Sequence, residues 1–90
     1  MTVKINVRPG MQHLTSNRDV VEVNGSTVGE CLGQLVKQFP SIEDELFDKD
    51  GNVLNYIDIY VNGKSSYPEE LAKPVNDGDE LYILQAIGGG

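Results

Sequence analysis

Apolar and polar positions alternate at the start of the chain. Val3, Ile5 and Val7 interleave with Lys4, Asn6 and Arg8, which predicts a half-buried strand closed by Pro9-Gly10. Residues Met11 to Asn17 read as a polar loop, and Val20, Val21 and Val23 as a second β-rich run ending at Asn24-Gly25. Together they suggest a hairpin. The period then changes. Thr27-Val28-Gly29-Glu30 fits a capping box, in which Thr27 accepts from the first helical turn and Glu30 reaches back. Val28, Cys31, Leu32, Leu35, Val36 and Phe39 follow at helical spacing as one apolar stripe, and Pro40 stops it. Gly29 and Gly33 cost helix propensity, and their small size suggests a helix lying close to a sheet.

Ser41 is placed to cap a short second helical turn over residues 42–47, with Glu43, Asp44 and Glu45 near its positive end. Asp48-Lys49-Asp50-Gly51-Asn52 reads as a solvated turn, because the twelve-residue ligand pattern of a calcium loop is missing. Alternation returns at Ile57, Ile59 and Val61, closed by the turn pair Asn62-Gly63. After a loop through Tyr67-Pro68 and a turn at Asn76-Asp77-Gly78-Asp79, a last strand places Leu81 and Ile83 on one face, Tyr82 and Leu84 on the other.

The order is two strands, a helix, a short helix, a strand, a loop and a strand, which is an α+β domain. One main helix can cover only one face of a sheet of about four strands. The helix crosses from the second strand to a later one, so the first and last strands are expected side by side and parallel in the middle. Val3, Ile5, Val7, Ile57, Ile59, Val61, Leu81 and Ile83 then face the helix stripe. Tyr60, Tyr82 and Leu84 fall on the uncovered face, either as a docking patch or as ordinary scattered apolar surface.

Beyond the last strand the chain ends Ala86-Ile87-Gly88-Gly89-Gly90. Three glycines span about 10 Å when extended and carry no side chain to obstruct a narrow channel. The only reactive group on such an arm is the Gly90 α-carboxylate. Two readings stand on the glycines alone: the carboxylate is the working group, or the run is a frayed or vector-derived end.

Composition narrows the chemistry. The 90 residues make one domain, with 39% hydrophobic and 23% charged residues, as in an ordinary soluble protein. No apolar run is long enough to span a membrane, and the N-terminus lacks a signal-peptide core, so a cytoplasmic location is expected. A net charge of -7 repels phosphate backbones and argues against nucleic acid; it suits a partner with a basic docking face. Cys31 is the one cysteine and lies on the apolar stripe, where a structural thiol is expected. His13 is the one histidine, so a His-based metal site and a Ser-His-Asp triad have little to build with. No P-loop or dinucleotide fingerprint is present. The chain therefore reads as a substrate or carrier rather than an enzyme, with no catalytic residue, no metal ligand and no cofactor of its own.

The segment Pro74-Val75-Asn76-Asp77-Gly78-Asp79-Glu80-Leu81, the strand after it and the terminal Gly89-Gly90 together resemble the MoaD/ThiS family of ubiquitin-like sulfur carriers, over the whole chain. Residues 57–62, residues 83–90 and the loop from Pro40 to Tyr56 look most like the branch serving cysteine biosynthesis, the CysO type. The resemblance implies a β-grasp domain over residues 1–87, with a mixed sheet of about four to five strands covered on one face by one main helix, and a flexible tail at residues 88–90. Relatives commonly carry Ala or a Ser-like residue before the final pair, so Gly88 is a departure that loosens the tail.

The resemblance also implies a mechanism. An E1-like adenylating enzyme uses MgATP to activate the Gly90 carboxylate, a sulfur donor displaces AMP, and the thiocarboxylate passes sulfur to an accepting synthase. Gly88 and Gly89 thread into the partner. Leu84 falls where related carriers place an apolar contact to the activating enzyme, while Tyr82 and Tyr60 join the docking patch by sheet-face logic. If the written end is native, no proteolytic trimming is needed. The destination of the sulfur is cysteine first, then molybdopterin or thiamine. The same tail would also suit a ubiquitin-like modifier joined to lysines through Gly90, or a plain binding module with incidental glycines.

Overall fold

Six residues near the end of the chain, Glu80–Gln85, form the middle of the sheet. The computed structural model describes residues 2–85 and contains strands β1 (Thr2–Asn6), β2 (Val20–Asn24), β3 (Ile57–Val61), β4 (Lys64–Ser65) and β5 (Glu80–Gln85). Their order in space is β2-β1-β5-β3-β4. Strands β1 and β5 run parallel, with Ile5 beside Leu81 and Asn6 beside Tyr82. The other neighbouring pairs are antiparallel. The central parallel pair expected from the crossover helix is present, and the count rises to five because of β4. That strand has two residues, too few to show a period.

Helix α1 (Val28–Gln38) lies across one face and buries Val28, Cys31, Leu32 and Leu35 against the sheet. All eight residues assigned to the helix-facing side of the strands are at most 9% exposed. Thr27 caps the helix by accepting from the Glu30 amide at 3.1 Å. The return bond is displaced by one residue. The Glu30 carboxylate accepts from the Ser26 amide at 2.8 Å and the Ser26 hydroxyl at 2.9 Å, rather than from Thr27. These two bonds hold the Glu30 carboxyl below its ordinary value.

Three local expectations are corrected. The segment after β1 is not a polar loop: Pro9–Leu14 winds into a 3-10 turn that buries Met11, and Thr15 is buried with its hydroxyl donating to the Arg18 carbonyl at 2.9 Å. Ser41 does not cap the second helix. It sits inside a 3-10 turn, Pro40–Ile42, that leads into α2 (Glu43–Leu46) without a side-chain cap. Gly29 and Gly33 do not bring α1 close to the sheet. A Cβ on Gly29 would lie 3.0 Å from the Leu71 carbonyl, in the 3-10 turn Glu70–Ala72, and one on Gly33 would meet nothing within 4 Å.

Candidate functional site

Strand β5 carries the terminal segment, so its two ends and its open face form the candidate site. At its start, the chain reverses at Asn76-Asp77-Gly78-Asp79. Gly78 has φ of +88, a conformation that costs glycine little. Asp79 accepts from the Asn76 amide at 2.8 Å through Oδ2 and from the Asn62 side-chain amide at 2.9 Å through Oδ1. The Asn76 bond first and the Asn62 bond second hold the Asp79 carboxyl below its ordinary value. Asn62 also accepts from the Glu80 amide through Oδ1 at 2.9 Å. The N-terminal strand locks the same turn: the Thr2 amide donates to Asp77 Oδ1 at 2.7 Å, and the Gly78 amide donates to the Thr2 carbonyl at 2.8 Å. The sequence marks Asn62-Gly63 only as a turn. That Asn62, with φ of 51, also clamps the start of β5 depends on β3 pairing with β5.

Along β5 the pleat sorts the side chains. Leu81 and Ile83 are buried under α1, while Tyr82 is 37% and Leu84 41% exposed on the other face. Tyr60 of β3 lies directly across from Tyr82, and Asp58 directly across from Leu84. The structure thus brings Tyr60, Tyr82 and Leu84 together on the open face, with Tyr60 half-buried. Asn6 borders the patch, donating to Glu80 Oε1 and to the Leu81 carbonyl, each at 3.2 Å.

At the far end Gln85 pairs with Ile57. The Arg8 guanidinium donates to the Gln85 side-chain oxygen, and Arg8, Glu45, Tyr56 and Gln85 line a cavity of about 190 Å³ there. Arg8 and Tyr56 were not among the candidate site residues. Arg8 continues the β1 alternation, but its place at the root of the terminal segment follows only from the parallel pairing of β1 with β5. Gly88, Gly89 and Gly90 lie outside the described residues. Cys31 is buried, and burial pushes its thiol up, away from the reactive thiolate. Among the described residues no group of three or more His, Cys, Asp or Glu is placed to hold a metal ion, and no helix is long and apolar enough to cross a membrane.

The match to known proteins covers this whole arrangement. The model of the ThiS family matches residues 9–90. The chain belongs to the ThiS family. The sulfur carrier protein CysO of Mycobacterium tuberculosis is 28% identical over 93 aligned positions that cover all of both chains. Small archaeal modifier protein 1 of Haloferax volcanii is 34% identical over 71 residues, 78% of each chain. Among solved structures, the Amycolatopsis orientalis BexX/CysO complex contains a chain with a TM-score of 0.88 and 28% identity, covering 98% of this chain and 99% of that one. The five-stranded mixed sheet with its main helix is the ubiquitin-like β-grasp that the resemblance implied.

Proposed function

We propose that this ThiS-family chain is a sulfur carrier whose working group is the Gly90 α-carboxylate. The observation that carries the reading is the family match through residue 90 in a chain whose last described strand is held on both sides at the centre of the sheet. A rigid body feeding a side-chain-free arm suits a carboxylate that must enter another protein's nucleotide site.

In this reading a carboxylate oxygen attacks the α-phosphorus of ATP, pyrophosphate leaves, and an acyl adenylate forms. Sulfide-level sulfur attacks the acyl carbon and AMP departs, leaving a thiocarboxylate. Both the carboxylate and the phosphates are anionic, so the E1-like partner supplies the cations and holds the MgATP. The chain contributes reach, through Gly88 and Gly89, and a docking surface, through Leu84, Tyr82 and Tyr60. The second partner is the synthase that accepts the sulfur. The full-length similarity to CysO supports a cysteine-type route, ahead of molybdopterin or thiamine. A second reading, a modifier joined to lysines through Gly90, is favoured by the similarity to small archaeal modifier protein 1.

Intact-mass spectrometry on protein isolated from its native cell, with the C-terminal fragment mapped, separates them. One oxygen replaced by sulfur on Gly90 supports the carrier. Larger species with Gly90 in amide linkage to lysine support the modifier. A bare carboxylate that also resists adenylation by the host's activating enzymes overturns both.

A further inference from the structure

Beside the docking patch, at the N-terminal end of β3, two tyrosines stand out from the surface. Tyr67 is 73% and Tyr56 43% exposed, among the largest apolar exposures of the described residues. They line one cleft of about 240 Å³ together with Asn55, Ile57, Asp58 and Glu70. Among the described residues no Lys or Arg lines it. The ion pair found among the described residues, Lys73 with Glu69 at 3.8 Å, uses neither of its carboxylates. The two walls are tied together: the Ser65 hydroxyl donates to Asp58 at 3.0 Å and accepts from the Tyr67 amide at 3.2 Å. That leaves further acceptor positions on Asp58, and those of Glu70, for an incoming donor.

We propose that this cleft receives an arginine side chain of a protein partner. Aromatic faces attract a cation, and a planar guanidinium both stacks on a ring and forks onto a carboxylate, which an ammonium cannot do. The volume decides against a small-molecule site, since such pockets usually hold about 300–1,000 Å³. Charge complementarity points the same way, on a chain of net charge -7. The position fits a partner that also reaches the terminal segment, because Asp58 lies across from Leu84 and Ile57 across from Gln85. The inference does not depend on what Gly90 carries.

The test is an amide NMR titration of the full chain with acetyl-Gly-Arg-Gly-amide, against the Lys and norleucine analogues. Shifts centred on residues 55–58 and 67–70, with Arg bound more tightly than Lys and no response to norleucine, are expected. Tyr67→Leu, which keeps bulk but loses the ring, weakens Arg binding about two- to fivefold, and Asp58→Asn removes the preference for Arg over Lys. Equal shifts for Lys and Arg spread over the acidic stretch 43–50, or unchanged binding by Tyr67→Leu, overturn the proposal. A variant that loses the dispersed native spectrum is replaced by Tyr56→Leu, for which the same weakening is expected and unchanged binding is fatal.

Discussion

The two ends of β5 are built differently. The start, from Asp77 to Glu80, is held by bonds from three directions: Asn76 within the turn, Asn62 from the turn after β3, and Thr2 and Lys4 from β1. The end at Gln85 is held by its pairing with Ile57 and by the Arg8 side chain, beside a cavity and two exposed tyrosines. One end spends its polar groups on the fold. The other leaves Leu84, Tyr56 and the carboxylates of the cleft available to a partner. Substitutions near the start should therefore act on stability, and those near the end on recognition.

The sharpest separation is expected from the chain terminus. Adding one residue after Gly90 should abolish adenylation by a cognate activating enzyme while leaving the melting temperature unchanged; normal adenylation would remove the terminal carboxylate from the proposed mechanism. Leu81→Ala, deep in the helix-facing side of β5, should cost about 2–5 kcal/mol in urea unfolding. Asn62→Ala should cost roughly 1–2 kcal/mol, because it frees the Glu80 amide and Asp79 and puts alanine at positive φ. A loss no larger than that of an exposed substitution would break the contrast between the two ends.

Acid pH probes the start through Asp79. The Asp79 carboxyl is depressed in the folded state, so its stabilisation is present above the unfolded-state value. That stabilisation disappears as pH falls through the lower folded value. Asp79→Asn should flatten that part of the acid limb of a stability-against-pH curve, and an unchanged slope would assign the limb to other carboxyls, Glu30 among them. The smallest stability effect belongs to Leu84→Ala at the other end, within about 0.5 kcal/mol of the parent. Its effect should appear instead as a raised KM for activation with kcat little changed. A stability loss like that of Leu81→Ala would show Leu84 to be a core residue rather than a contact.

The sequence by itself determined what period and composition encode. Alternation in β1, β3 and β5 assigned the buried and open faces, because neighbouring residues on a strand point to opposite sides. The Thr27 cap, the Cys31-to-Leu35 stripe and the turns at Asn62-Gly63 and Asn76-Asp79 were equally local. Tertiary structure alone decided the rest. Strand β4 exists only because β3 offers an edge, and Met11 and Thr15 are buried only because a 3-10 turn closes that end of the core. Asn62 clamps Asp79, seventeen residues away, and Arg8 meets Gln85, seventy-seven residues away. Such groups carry no local signature, because their roles come from strand pairing, and pairing is set by the whole core rather than by neighbours in the chain.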